Sequence, residues 1–351
     1  MDPLISLGFS DFFRAALPQG AVPARVAAEE RGRYLLWHEH GESPGRLAGR
    51  LLQEDGPSLP GVGDWVWLAA SPAEDGAVIA GLLPRRTLFE RAAAGRAART
   101  QVIAANVDIV FVVTDLDRDY NPRRVERYVA RVWSSGAQPA VILNKLDLCP
   151  DPAERVAEIE RRCVGVPVHP MGALDGAGLD PLLALGAGQT AALVGSSGVG
   201  KSTLVNRLLG AEVAATRGLA DDGRGRHTTT HRQLHRLPGG GLLLDTPGMR
   251  ELALPDEGGL QQVFGEIAAV AARCRFRDCR HEGEPGCAVA AAIAAGELDP
   301  GRVEHLQKLE REARAQVSRQ DERLRRQEER RWGHFMDEAK RQVRRKRGDW
   351  G

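Results

Sequence analysis

Residues 195–202 read Gly-Ser-Ser-Gly-Val-Gly-Lys-Ser and fit the pattern G-x-x-x-x-G-K-[ST]. No other feature of the 351-residue chain limits its fold as strongly, because the pattern needs a strand ending at its first glycine and a helix starting at its lysine. Both are predicted here. The run QTAALVG from Gln189 suits a buried strand, and a helical pattern begins at about Lys201. The glycines let backbone N–H groups converge on an anion at the positive end of that helix. A chance glycine-rich turn is the alternative, and the flanking strand and helix count against it.

The neighbouring segments extend this surround. VDIVFVVT (107–114) is a continuous apolar run suited to a parallel strand buried on both faces. A helical pattern follows in PRRVERYVARVW, then further strands in PAVILN (139–144) and GLLLD (241–245). Strands alternating with helices predict a doubly wound α/β domain. Residues 21–90 have a different texture, with short apolar stretches cut by turn signals and an alternating segment at Val62–Trp67. They read as a small antiparallel β unit; an OB-type barrel fits, but periodicity alone does not choose it over other small barrels. A basic linker is expected around Arg85–Arg99. From about Gly258 the pattern turns helical, passes through a Cys/His cluster and ends in a charged stretch. The expected division is an N-terminal extension (1–20), the barrel (21–90), the α/β domain (91–257) and a C-terminal module with a basic helical tail (258–351).

Charged residues at 27% and hydrophobic ones at 42% suit a soluble globular protein, and no apolar run approaches the roughly 20 residues needed to span a bilayer. The first residues lack a basic start followed by an unbroken apolar run, so no secretory signal is expected and the cytoplasm follows. The net charge of +1 hides an asymmetry: residues 301–351 carry 16 Lys or Arg against 10 Asp or Glu. That stretch lacks a sustained apolar heptad and reads as a solvated helix, partly packed and partly frayed at its end, and its basic end is where a polyanion is expected.

The loop chemistry can be assigned residue by residue. Gly195, Ser196, Ser197, Gly198, Val199 and Gly200 would cradle phosphates, Lys201 would reach the β- and γ-phosphates and serve catalysis, and Ser202 would ligate Mg²⁺, with Thr203 completing the contact set. Asn144-Lys145-Leu146-Asp147 follows directly on the strand AVIL. The Asp147 carboxylate can accept from both N1–H and the N2 amino group of guanine, whereas adenine would leave it unpaired, and unpaired polar groups make discrimination strong. Asn144 would brace the loop and the Lys145 stem would cover the ring face. Asp245-Thr246-Pro247-Gly248 follows the strand LLL; Asp245 would hold Mg²⁺ through a water and the Gly248 N–H would meet the γ-phosphate. A simple Pro-Gly turn is the alternative there. Between these motifs, GRGRHTTT (223–230) is basic and rich in hydroxyls. One of Thr228, Thr229 and Thr230 could cap Mg²⁺, with Thr229 the candidate, although the sequence does not distinguish them. Met249 stands where familiar signalling GTPases carry a water-orienting Gln, which leaves His227 as the candidate orienting residue, or else an RNA-contacting or merely exposed one.

Order is the most informative property. NKLD lies ahead of the phosphate loop, the reverse of the ordinary arrangement, yet the site needs only the right loops at the carboxyl ends of adjacent parallel strands. Five cysteines are an odd number, and Cys274, Cys279, His281 and Cys287 form C-x4-C-x-H-x5-C, a complete tetrahedral ligand set for one structural Zn²⁺. Cys149 and Cys163 read as plain thiols.

Taken in order, GVGDWV, QVIAANVD, NKLD, GSSGVGKST, GRGRHTTT, LLLDTPG and the Cys/His pattern resemble the ribosome small-subunit-dependent GTPases, a circularly permuted family. The resemblance implies an OB barrel, a permuted GTPase domain and a zinc module. It also implies GTP hydrolysis stimulated by the small ribosomal subunit, a role late in that subunit's maturation, and contacts of barrel and zinc module with ribosomal RNA. Partners would then be GTP or GDP, Mg²⁺ and the subunit, with no membrane, for a monomeric protein. One departure lies in the second guanine-contacting loop, where Met171-Gly172-Ala173 replaces the family's Ser-Ala; the Ala173 N–H would donate to guanine O6. A rival reading is a nucleotide-gated RNA-binding assembly factor in which hydrolysis is incidental.

Overall fold

Residues 109–115 alternate between two cores. Val110 and Val112 face one cluster with Val125 and Val129, while Phe111 and Val113 face another with Leu204 and Val205. A strand of period two that buries both faces requires helices on both sides. The computed structural model describes residues 2–30, 32–54, 56–72, 76–92, 100–210, 232–245 and 255–318. The expectations at His227, Thr228, Thr229, Thr230 and Gly248, and those for the tail beyond 318, lie outside the described residues.

Two short helices open the chain, α1 (Pro3–Ser6) and α2 (Asp11–Ala16). Five strands come next: β1 (Val22–Glu30), β2 (Arg33–His38), β3 (Gly41–Leu47), β4 (Trp65–Leu68) and β5 (Ala77–Leu82). They close on themselves in the order β1-β2-β3-β5-β4, with β4 returning to β1 and β3 running parallel to β5. This is the closed five-stranded barrel that periodicity alone left open, and closure removes the exposed edges. Strand β1 pairs β2 along one edge, with a register shift between Val26 and Ala28 that bends it, and β4 over Val22–Arg25 on the other.

The GVGDWV segment ties the barrel to the chain that enters the α/β domain. Gly63 has φ +91°, and a Cβ there would lie 2.1 Å from the Ala105 carbonyl oxygen, so only glycine allows this approach. Arg85 grips the buried Asp64 carboxylate with Nε at 2.8 Å and Nη2 at 2.7 Å. The expected linker is therefore partly structured: Arg85 is anchored, and β6 (Leu88–Ala92) pairs antiparallel with β7 (Thr100–Ala105). The apolar-polar alternation there is short and broken by arginines, which hid the hairpin.

The α/β unit comprises β8 (Ile109–Asp115), α3 (Pro122–Ser134), β9 (Gln138–Asn144), α4 (Ala153–Arg162), β10 (Val168–Pro170), α5 (Asp180–Leu183), β11 (Thr190–Val194), α6 (Lys201–Leu209), β12 (Arg232–Arg236) and β13 (Leu242–Asp245). Strands run β10-β9-β8-β11-β13 in parallel, and the antiparallel β12 joins β13 to the barrel strand β1. Three further helices, α7 (Glu257–Val263), α8 (Gly265–Ala271) and α9 (Ala288–Ala294), lead to helical residues 300–318. Val303, His305 and Leu309 of this last helix are buried while Glu304, Lys308 and Arg311 are exposed, so its described part is packed along one face and solvated along the other. The first 20 residues also join the core: Leu4, Leu7, Phe9 and Phe13 cluster with Trp65 and Phe89.

Candidate functional site

The parallel strands β8, β9, β11 and β13 end at Asp115, Asn144, Val194 and Asp245, and all four carboxyl ends lie along one edge of the sheet. Ligands of open α/β sheets bind at that edge. β11 is buried throughout, and the chain leaves it through Gly195 and enters α6 at Lys201. The glycines are needed for two reasons. A Cβ on Gly195 would sit 2.1 Å from the Val113 carbonyl oxygen and one on Gly200 would sit 2.1 Å from Asn144 Nδ2; Gly198 has open space but a φ of +85°. Lys201 Nζ donates to the Gly195 carbonyl at 2.8 Å and to that of Ser196. The lysine thus lies folded over its own loop, where a phosphate oxygen would compete for the same ammonium. Ser197 and Ser202 are exposed on the open side.

Asn144 joins the loops. Its Nδ2 donates to the Val199 carbonyl at 2.7 Å, and its Oδ1 accepts from the Ala173 N–H at 3.0 Å. One buried amide side chain therefore fixes the phosphate loop and the 171–174 loop relative to each other, across an intervening strand. The Ala173 N–H, expected on guanine O6, is donated to Asn144 in this structure. Lys145 adopts a left-handed conformation (φ 61°, ψ 45°), turning the chain so that Asp147 is exposed in a single helical turn at 146–148. The Leu146 N–H donates to the Met171 carbonyl at 3.0 Å, a second tie between the same two loops.

Asp115 belongs to this edge, although no motif singled it out. It is 2% exposed, and its Oδ2 lies 2.6 Å from Lys145 Nζ. Burial alone would push its carboxyl up, but the Lys145 ammonium and the Asp119 and Asp117 amides outweigh burial and hold it below the usual carboxylate range. The signal in the sequence was an acid placed at the end of the β8 run, directly after five residues that are all buried.

The second constellation lies in the C-terminal helical part. The ligand atoms of Cys274, Cys279, His281 and Cys287 all lie within 4.8 Å of one another. Among them, His281 Nδ1 is 3.7 Å from Cys274 Sγ and 3.4 Å from Cys287 Sγ. A tetrahedral site with metal–sulfur bonds of about 2.3 Å and metal–nitrogen bonds of about 2.0 Å has S···N edges of roughly 3.5 Å, so the four residues fit one metal ion. The Ala288 and Ala290 amides donate to Cys274 Sγ and Cys287 Sγ at 3.3 Å each, the support that thiolate ligands need. Four protein ligands leave no open position for chemistry. Among the described residues, no helix is long and apolar enough to cross a membrane.

Comparison with known proteins agrees with this architecture. A family model described as RsgA GTPase matches residues 82–255. The chain is 48% identical over 347 residues to the small ribosomal subunit biogenesis GTPase RsgA of Opitutus terrae, covering 94% of this chain and 95% of that one. It is 44% identical over 322 residues to the protein of the same name from Streptomyces coelicolor, covering 90% and 87%. The crystal structure of YjeQ from Thermotoga maritima superposes with a TM-score of 0.62 at 25% identity, over 84% of this chain and 98% of that one. YloQ, a circularly permuted GTPase, gives 0.60 at 20% identity, over 85% and 96%, and shares the fold. With the permuted order of loops, the closed barrel and the four-ligand cluster all in place, the chain belongs to the RsgA GTPase family.

Proposed function

We propose that this protein hydrolyses GTP and that the small ribosomal subunit stimulates the reaction late in its own maturation. The observation that carries the reading is Asn144, whose one amide holds the phosphate loop and the 171–174 loop together at the carboxyl edge despite the permuted chain order. Asn144, Lys145, Leu146 and Asp147 surround the guanine, helped by the loop at Ala173. The amides of Gly195 to Gly200 take the phosphates with Lys201, Ser202 and Thr203, and Gly248 meets the γ-phosphate. Ser202, Thr229 and Asp245 would hold Mg²⁺, which when bound would supply charge neutralisation at the transferring phosphoryl group. His227 orients the attacking water, since Met249 offers no polar group for it.

Zinc is the metal that suits three thiolates and an imidazole in a closed tetrahedral set, and its role is to clamp the loop from Cys274 to Cys287. That loop carries Arg275, Phe276, Arg277 and Arg280 at its exposed surface, with Arg273 just ahead of it and the Arg275 guanidinium 5.5 Å over the Phe276 ring. Cations beside an exposed aromatic suit ribosomal RNA, where phosphates and unstacked bases offer both kinds of contact. The division we propose is an extension (1–20), a barrel (21–90), a permuted GTPase domain (91–257) and a zinc module with a basic tail (258–351), working as a monomer in the cytoplasm.

The test is GTP turnover by the purified full chain with and without purified small subunits, alongside Lys201→Ala and His227→Ala. Slow turnover that rises on adding subunits, lost in Lys201→Ala and unstimulated in His227→Ala despite normal subunit binding, is the expected outcome. The loss for a positioned orienting group is on the order of 10² to 10⁴. Subunit binding that depends on GTP without any stimulation of turnover would instead favour a nucleotide-gated RNA-binding factor.

A further inference from the structure

We propose that Asp115 is a positioning residue for the purine base, acting through Lys145. The inference deepens the guanine-nucleotide reading above and rests on it. In that reading the methylene stem of Lys145 lies along a face of the base. A lysine side chain is flexible and loses substantial rotamer freedom when it is held in one conformation, so a free Lys145 would give up part of its contact energy on each binding event. Here the ammonium is already held. Asp115 Oδ2 accepts from Nζ at 2.6 Å, and the Lys145 side chain is 29% exposed against 3% for that of Asp115.

The carboxylate is itself fixed on every side. Its Oδ1 accepts from the Asp119 N–H at 2.8 Å and the Asp117 N–H at 3.2 Å. The next residue donates across to the guanine-contacting strand, from the Leu116 N–H to the Asn144 carbonyl at 2.9 Å. The Leu116 carbonyl accepts from Arg155, which lies 5.1 Å over the Tyr120 ring, and the Tyr120 hydroxyl lies 2.9 Å from the Glu158 carboxylate and 3.1 Å from the Arg155 carbonyl. The 115–120 loop is thus a rigid mount placed beside the base loop. Lys145 also has a backbone conformation that non-glycine residues adopt at a cost, and a tail tethered to a buried anion helps to hold it. The arrangement preorganises a flat apolar stem that can pack on any purine, whereas Asp147 reads which purine it is.

These two roles separate by experiment. In Asp115→Asn the remaining carbonyl oxygen can keep the two loop amides, while the new NH₂ group faces the lysine as donor against donor. The variant therefore removes the anchor and little else. GDP and IDP share the purine face, and IDP lacks only the 2-amino group. Equilibrium binding of both to the full-length protein should weaken by the same factor in Asp115→Asn, about three- to tenfold for a side chain that must be ordered on binding. Lys145→Met keeps the apolar stem without the amine and should lose affinity to a similar extent. Adding Asp115→Asn in the Lys145→Met background should cause no further loss, because the carboxylate then has no target. Asp147→Asn, measured in parallel, should reduce the preference for GDP over IDP. Unchanged affinities in Asp115→Asn overturn the inference, and so does an equal loss in both Lys145 backgrounds, which would mark Asp115 as a loop strut only. If Asp147→Asn leaves the GDP-to-IDP preference untouched, the guanine reading fails and the inference falls with it.

Discussion

Two buried charges hold the three parts of this molecule together, and they do so in opposite ways. At the barrel junction the Arg25 guanidinium is fully buried and donates only to backbone carbonyls: Leu7 in the N-terminal segment, Gly63 in the barrel at 3.3 Å and Asn106 at the entry to β8 at 3.0 Å. At the C-terminal junction the Glu126 carboxylate on α3 is also fully buried, but its partners carry charge or can do so. Arg302 lies at 2.6 Å and His305 at 2.6 Å, both on the last helix, and Arg162 of α4 lies at 3.2 Å. Arg302 further donates to Glu266 at 2.7 Å and to the Val263 carbonyl at 3.0 Å while lying 5.0 Å over the Phe264 ring. Burial pulls the Arg25 pKa down to about 10 against the opposing pull of Asp108 and Asp64, so it stays charged at neutral pH. A cation satisfied by carbonyls fixes the path of three chain segments. An anion shared among several side chains fixes the packing of three helices, and its loss leaves guanidinium groups facing one another.

Metal withdrawal should separate the two junctions most. Affinity at a structural zinc site is itself folding free energy, about 10–16 kcal/mol in small peptides. A strong chelator should therefore open residues 274–298 to amide hydrogen exchange while amides beside Arg25 stay protected; equal opening at both junctions would break the comparison. Next in size is Glu126→Gln. Removing one partner of a buried ionic cluster costs about 3–5 kcal/mol, so denaturant unfolding should show a first transition that releases the C-terminal helices. Arg25→Met should cost less, roughly 2 kcal/mol. It leaves carbonyls unpaired but no uncompensated charge, and it relieves a desolvation cost. A larger loss in Arg25→Met than in Glu126→Gln would reverse the contrast.

The smallest effect concerns pH and Asp115. Its folded-state pKa is depressed, so the unfolded chain binds the extra proton first as the pH falls. The stabilisation is fully present above the ordinary carboxylate range near pH 4 and is lost as the pH drops below it through the folded value. Asp115→Asn should flatten that acid limb of the stability curve and modestly lower stability at neutral pH, where the carboxylate contribution is lost. An acid limb identical to that of the unmutated protein would refute the assignment.

Both junctions were hidden in the sequence for the same physical reason. Glu126 lies within PRRVERYVARVW, where a charge in a helical pattern reads as the solvent face, and Arg25 lies in a strand whose alternation gave no hint that its polar position points inward. Their partners lie 176 residues and 81 residues away along the chain for Arg302 and Asn106, beyond any local pattern. The phosphate loop, NKLD and the Cys/His spacing were legible because each fixes backbone or ligand chemistry within a few residues. Asn144 was legible as a loop brace but not as the tie to Val199 and Ala173, which needs the strand order. Barrel closure likewise depends on β1 pairing with both β2 and β4, which no strand signal records.

That the carboxyl edge of the sheet holds a guanine nucleotide is tested most directly by binding isotherms for GDP and ADP on the unmutated protein and on Asp147→Asn. GDP should bind far tighter than ADP, with the difference collapsing in Asp147→Asn, because a site built to pair both guanine donors can discriminate by up to about 10⁴–10⁵. Comparable affinities for GDP and ADP in the unmutated protein would contradict a guanine site at this edge.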